Sequence, residues 1–365
     1  MKAHKVPATY YDSWNIPGMK HSFYVFYKSR LHEKGECKSY RKVRKITQEH
    51  SFFMEEDFYY LNTITIPGLF YKLENEIEDF LEERTYNIGC FDYFDESNEP
   101  EYPIIEIKNY DKFMYFRGYM DSWMVTDANG DSVPIEEFKN DLYTYLFDKV
   151  GTIIEETYFA NELEPKWNVI KTEIVRNRNN GEDFDLIHKE DFLEFFVIQY
   201  RRVEGFIAEY IDPIVDNARL LFSSLGYEED ELNEIAEDGL LSSETYFFAF
   251  LLDAARGNKI RVQRSIKAIE EKYNIDLFKA SPGMSFLTST EPCVVTKNAN
   301  GLITEMFFPV TPKYCIRFKE KTRSENRNGK YFEITPSDVL SINQRIISES
   351  PNIVISECKK IVDKF

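Results

Sequence analysis

Hydrophobic and polar positions follow several regimes along the chain. Over the first sixty residues the pattern is that of strands: Ser22 to Lys28 is aromatic and β-branched, Gly35 marks a turn, and Lys38 to Thr47 alternates, which together predict a hairpin. From Gly68 the spacing changes, and Leu69, Phe70, Leu73, Ile77, Phe80 and Leu81 recur at helical intervals with acids opposite. Between Thr85 and Glu137 the runs IIEIK, KFMYFRGYM and SWMVTD, with an Asn129-Gly130 step suited to a tight turn, predict a β-rich insertion. Helical periodicity returns from Ile135 to about Tyr158, from Lys189 to Leu225 with a break at Pro213, and from Glu229 to Tyr273 with interruptions. After Ser281-Pro282-Gly283 the runs FLTST, CVVTK, EMFFPV and YCIRFKE read as strands. A last helix is predicted from a cap at Ser337, with Val339, Leu340, Ile342, Ile346 and Ile347 on one side, followed after Pro351 by a second amphipathic run to Phe365.

Strands at both ends of the chain enclosing helices predict an α+β fold. The terminal strands form one mixed or antiparallel sheet packed on a central helical region, with the β-rich insertion set apart. The expected division is 1–84 for the hairpin and first helix of the main domain, 85–137 for the insertion, 138–280 for the helical region, and 281–365 for the C-terminal strands and final helices.

Composition narrows the class. Hydrophobic residues make up 43% and aromatics 16%, so the chain carries a packed core and is not disordered. The formal charge of -18, from 63 acids against 45 bases, repels phosphate backbones at long range. Nucleic acid could therefore be held only through local basic patches, at Lys34, Lys38, Arg41, Lys42, Arg44 and Lys45 or around Arg317, Lys319, Lys321 and Arg323, which also read as solvated strand and turn charges. Five scattered cysteines without a C-x-x-C pair suggest neither a disulfide framework nor a zinc site. No continuous apolar leader or span of membrane length is apparent, so a cytoplasmic protein without membrane contact is expected.

Candidate chemistry starts in the helix DFLEFFVIQYRRVEGFIAEY. Phe192, Phe195, Phe196, Gln199, Val203 and Phe206 share one stripe, which puts Gln199 in an apolar face with Arg202 beside it. Burying an amide and a guanidinium is costly unless both are hydrogen-bonded, so either an internal network or a ligand must satisfy them. The segment Phe286 to Pro292 ends a strand with Thr288, Ser289, Thr290 and Glu291, functional groups that also form ordinary turns. His4, near the N-terminus, is a candidate general acid or base and equally an exposed side chain. Asp92 or Asp95 followed by Glu106-Ile107-Lys108 resembles the metal-dependent nuclease pattern, in which Asp95 and Glu106 would hold Mg²⁺ and Lys108 would steady the attacking water or the phosphate. Asp127-x-Asn129-x-Asp131 starts like a calcium loop but lacks the glycine and the final glutamate, and reads as a hairpin turn. Walker, dinucleotide-binding, zinc-protease and serine-hydrolase motifs are missing. The acidic run Glu228 to Asp238 reads as a solvated helix face or a partner-binding surface.

A family resemblance adds to this reading. His4-Lys5-Val6-Pro7 with Tyr10 or Tyr11 after it, Gln199-x-x-Arg202, Phe286 to Pro292, Phe308-Pro309-Val310-Thr311-Pro312 and the helix around Asn343 resemble, in this order, the bacterial domain-of-unknown-function family numbered 4238. The resemblance implies a histidine near the start, a glutamine and arginine on a central helix, a Thr-Ser-Asp-Asn-Pro-like turn and an asparagine in the last helix. Thr290 and Glu291 stand where the family shows Asp and Asn, and Val203-Glu204 replace a common Thr-Pro, so activity could be lost or could pass to Glu291. Some relatives look like components of bacterial conflict or phage-defence neighbourhoods. The resulting expectation is an effector or accessory protein of such a system, acting on a phosphate-containing or nucleic-acid substrate, with a partner protein from the same module. As an enzyme it would carry out hydrolase- or nuclease-like phosphodiester or nucleotide chemistry: Arg202 holds the anion, His4 exchanges the proton, Gln199 lines the pocket, and Ser289 or Glu291 orients the substrate. The alternative is a non-enzymatic acidic interaction module in which the same residues close a structural network.

Overall fold

The aromatic and β-branched run at Ser22–Tyr27 becomes an inner strand because both of its edges find partners. In the computed structural model it pairs antiparallel with Arg44–Thr47 on one side and with Ile353–Ser356 on the other, and the latter pairs with Thr288–Ser289. The structure describes residues 3–4, 8–20, 22–27, 44–47, 54–55, 66–92, 102–201, 211–229, 232–233, 235, 241–322, 329–349 and 353–362. Strands from the two ends of the chain thus share one antiparallel sheet, and the fold is α+β, as the sequence predicts. Most C-terminal strands, however, build a second sheet. Its order is Val294–Lys297, Ile303–Thr311, Tyr314–Glu320, Tyr273–Ala280 and Tyr331–Ile334, antiparallel except for the last pair, which is parallel.

The chain forms two compact units, one from Asp57–Thr157 and Ile207–Gly257, the other from Lys2–Glu56, Tyr158–Phe206 and Asn258–Phe365. In the first, the strands Ile104–Glu106, Asn87–Phe91, Met124–Thr126 and Ser132–Val133 form an antiparallel sheet. The helices Glu74–Glu83 and Ile135–Gly151 belong to this unit, whose core holds Phe80, Phe113, Trp123, Phe138 and Leu142. Asp127 closes the turn before Ser132: its carboxylate accepts the N–H groups of Asn129 and Asp131, and these bonds hold its pKa below the usual carboxylate value. The loop is a hairpin turn, as expected.

In the second unit the five-stranded sheet is covered on both faces. Phe308 and Phe318 meet Phe196 of the helix Lys189–Arg201, with Phe196 and Phe318 stacked at 4.4 Å. Phe278, Phe307, Val339, Ile342 and Ile346 fill the other face, the last three from the helix Pro336–Glu349.

Several predicted elements are corrected. KFMYFRGYM is helical: Phe113 and Phe116 lie at i and i+3, and Asn109 caps Tyr110–Phe116 by accepting the Lys112 N–H at 3.0 Å. Tyr273–Ala280 is a strand where helix was expected up to Tyr273 and strands only after Gly283. Both of its faces are buried, although Tyr273-Asn274-Ile275-Asp276-Leu277 alternates in the sequence as a half-exposed strand would. The last helix is capped by Thr335 in place of Ser337, through a reciprocal box in which Asp338 N–H donates to the Thr335 hydroxyl and Thr335 N–H to the Asp338 carboxylate. The run after Pro351 begins with the fully buried strand Ile353–Ser356, too short for its 3.6-residue spacing to be tested, and only Lys359–Val362 is helical. Glu164–Ile174 is a further helix, outside the segments whose spacing predicts one. Among the described residues no helix is long and apolar enough to cross a membrane, and Cys90, Cys293, Cys315 and Cys358 are free thiols.

Candidate functional site

Of the segments carrying the family resemblance, Tyr10, Phe286 to Pro292, Pro309 and the helix of Asn343 meet around buried polar contacts. Asn343, fully buried on the helix Pro336–Glu349, accepts the Leu287 N–H at 2.9 Å and donates to the Ser285 carbonyl at 2.9 Å. One amide side chain thus satisfies a donor and an acceptor of a backbone segment that has few sheet partners. Tyr10 donates to the Pro309 carbonyl at 2.5 Å, so its 2.7 Å contact with Thr288 uses the threonine proton. Burial pushes the Tyr10 phenol far above its usual value and keeps it a donor.

The individual candidates fall as follows. Ser289 is fully buried; its hydroxyl donates to the Glu291 carbonyl at 2.6 Å and accepts the Glu291 N–H at 3.1 Å, a turn closed on itself. Gln199 is buried on Lys189–Arg201 together with Phe192, Phe195 and Phe196. His4 lies on the strand Ala3–His4, paired with Met54–Glu55, and its side chain lies outside the described residues. Arg202, Asp95 and the basic residues Lys34, Lys38, Arg41, Lys42 and Arg323 lie outside them as well. Glu106 and Lys108 are exposed and pair with each other at 2.7 Å. Among the described residues no group of three or more His, Cys, Asp or Glu side chains is arranged to hold a metal.

A ligand-sized cavity of about 410 Å³ opens over the five-stranded sheet, next to the helix Pro336–Glu349. Strand pleating builds it. On one face Phe307, Arg317 and Asp276 stand side by side across neighbouring strands, since Phe307 pairs with Arg317 and Arg317 with Asp276. Phe278 and Phe332, 6.0 Å apart edge to face, complete an aromatic wall. The helix contributes Arg345. Arg317 lies 5.1 Å from the Phe278 ring centre and Arg345 5.4 Å from that of Phe307, within cation–π range.

Both guanidinium groups converge on Glu305: Arg317 Nε at 3.1 Å from Oε1, and Arg345 at 2.8 Å from Oε2. Arg345 also donates to Thr296 Oγ1 at 3.0 Å. Behind them Asp276, fully buried, sits 3.9 Å from Arg317 and accepts the Lys330 N–H at 2.9 Å. Two guanidinium groups, three acidic residues (Glu305, Glu333 and Asp338) and three phenyl rings therefore line one solvent-reaching hollow, with Asp276 buried behind Arg317. Such a set can stack a planar group and offer forked N–H donors to an oxyanion. Thiol chemistry has no support at Cys315, whose burial raises the thiol well above its usual range.

In the sequence Arg317 stands out only as part of a basic patch, and Glu305, Arg345 and the phenylalanines carry no mark of a site. The available signal is Arg317 between the apolar residues Ile316 and Phe318.

Fold and pocket together define a two-unit α+β protein with an arginine-bearing hollow on a covered sheet. The chain belongs to the family described as Protein of unknown function (DUF4238), which matches residues 136–360 and thus includes every residue of this pocket. No curated protein and no solved structure matches the chain.

Proposed function

We propose that the protein binds a small ligand combining a planar ring with a phosphate-type anion, the chemistry of a nucleotide, in the hollow between Phe278, Phe307 and Arg345. The observation that carries this reading is the pair of guanidinium groups that are stacked on phenyl rings and joined by a single carboxylate. Its volume lies within the ~300–1,000 Å³ range typical of small-molecule sites. Glu305 acts as a stand-in for the ligand: it pairs with both arginines when the site is free, and the phosphate takes over their N–H donors on binding. An effector or accessory role in a bacterial conflict system is the cellular setting of this reading, and its support is the family resemblance.

Titration calorimetry with nucleoside mono-, di- and triphosphates tests the proposal, with phosphate release followed in parallel to detect hydrolysis. Arg345→Ala, at a side chain 41% exposed, is expected to weaken nucleotide binding at least tenfold with an unchanged melting temperature. Glu305→Gln is expected to tighten it, because the competing charge is removed. Absence of binding to any nucleotide, or equal binding by wild type and Arg345→Ala, would overturn the reading.

A further inference from the structure

The hollow that holds Arg317 and Arg345 has two unlike ends. On the helix Pro336–Glu349, Asp338, Ser341 and Arg345 stand at i, i+3 and i+7 and share the face that lines the cavity. Seven residues of helix set the carboxylate ~10 Å from the guanidinium along the axis. Arg345 lies against Glu305 and Phe307. Asp338 belongs to the opposite end, where the strand Tyr331–Ile334, which brings Phe332 into the aromatic wall, passes through Thr335 into the helix. A carboxylate cannot hold the anion that the arginines attract, so this end meets the part of a ligand that donates hydrogen bonds.

Two side chains at this end are oriented by the backbone. Asp338 Oδ2 accepts the Thr335 N–H at 3.1 Å and the Thr335 hydroxyl at 2.6 Å, which leaves Oδ1 without a bond among the described residues. Asn180, also on the cavity wall, accepts the Glu333 N–H through Oδ1 at 3.0 Å, so its amide has donors to offer from Nδ2. An acceptor and a donor at one end suit a ring edge that carries N–H groups next to a carbonyl. Guanine has that edge: N1–H and the 2-amino group both reach a carboxylate, while O6 or N7 accepts from an amide. Adenine would turn the bare lone pair of N1 toward the same carboxylate, and cytosine that of N3. For a nucleotide whose phosphate is held by Arg317 and Arg345, as proposed above, we infer that the base is guanine. Its ring lies along Phe278 and Phe332, its N1–H and amino group meet Asp338, and its carbonyl side meets Asn180.

Titration calorimetry on the full chain with the mono- and triphosphates of guanosine, inosine, adenosine and cytidine tests the choice of base without any substitution. Guanosine nucleotides are expected to bind at least tenfold more tightly than those of adenosine or cytidine, with inosine, which lacks only the 2-amino group, in between. Asp338→Asn puts an amide donor where the free carboxylate oxygen stands and can still accept from Thr335. It is expected to abolish the guanosine preference and to gain affinity for xanthosine nucleotides, whose 2-carbonyl accepts from that amide; a merely structural aspartate would not redirect the choice of base. Asn180→Leu is expected to weaken guanosine binding several-fold and leave adenosine binding unchanged. Equal affinity for all bases, or tighter binding of adenosine, would reject guanine while leaving the phosphate and ring site in place. A guanosine preference that survives both substitutions would reject Asp338 and Asn180 as its cause, and binding of no nucleotide would sink both readings. Should Asp338→Asn fail to fold, the base series and Asn180→Leu still decide.

Discussion

At the scale of the residue, Asn343 is the clearest case of a polar side chain buried for its hydrogen bonds. Replacing it by leucine keeps the volume but strands the Leu287 N–H and the Ser285 carbonyl, each worth ~1–3 kcal/mol when buried and unmet. Asn343→Leu is therefore expected to lower unfolding free energy by about 3 kcal/mol in urea titrations; a loss below about 0.5 kcal/mol, the usual range for surface changes, would show that the amide is not needed. Glu164 offers a test by pH. Burial, and then the Asp12 carboxylate, push its pKa up from 4.5 to about 6. The folded chain holds this proton more tightly than the unfolded chain, so ionising Glu164 costs stability. The cost is complete above pH about 6 and absent below the unfolded value of 4.5. Glu164→Gln is expected to raise the melting temperature at pH 7 and to lose that advantage as pH falls below 5, a trend that thermal melts between pH 4 and 8 would reveal.

Among the elements, the helix Lys189–Arg201 shows what a one-stripe reading leaves out. Phe192, Leu193, Glu194, Phe195, Phe196, Val197, Ile198 and Gln199 are all buried, so the helix is enclosed on every side and not on a single face. Glu194 is thereby buried too, and the structure satisfies it: Tyr158 donates to it at 2.9 Å, Lys259 pairs at 2.7 Å and Lys166 at 3.4 Å. Burial, and next the Glu194 charge, raise the Tyr158 phenol far above its usual value, which keeps its proton in place for that bond. Tyr158 stands on Thr152–Leu163, a π-helical stretch that continues Ile135–Gly151 into Glu164–Ile174. Breaking a buried ion pair costs ~3–5 kcal/mol, and the two lysines here are partly exposed, so Glu194→Ala is expected to cost about 2–3 kcal/mol in denaturant unfolding. A change indistinguishable from zero would mean that the lysines rehydrate fully and the carboxylate is dispensable.

For the molecule as a whole, the nucleotide reading predicts where protection against hydrogen exchange will appear. All pocket residues belong to one unit, within 180–345, and the sheet of 87–133 belongs to the other. Saturating nucleotide should slow exchange in Tyr273–Ala280, Ile303–Thr311 and the helix Pro336–Glu349, and leave Asn87–Phe91 and Met124–Thr126 as they were. Slowed exchange confined to the sheet of the first unit would place the ligand elsewhere. At this scale, too, Gly329 explains itself. A Cβ there would stand 1.9 Å from the Ile275 carbonyl oxygen, so only glycine lets Tyr331–Ile334 enter the sheet beside Tyr273–Ala280.

Local pattern alone determined the strand at Ser22–Tyr27, the helices containing Ile77 and Val339, the hairpin at Asp127 and the α+β class, because each rests on spacing or turn chemistry within a few neighbouring residues. Tertiary structure decided whatever depends on what lies opposite. Tyr273–Ala280 became a strand because both faces were covered, KFMYFRGYM a helix because Asn109 could cap it and one face could be buried, and Glu194 a core residue because two lysines and a phenol were brought to it. The pocket depends most on the tertiary fold. Phe278, Glu305, Arg317 and Arg345 are unremarkable in sequence, and their shared charge and ring chemistry exists only because strand register and one packed helix set them within a few ångströms of one another.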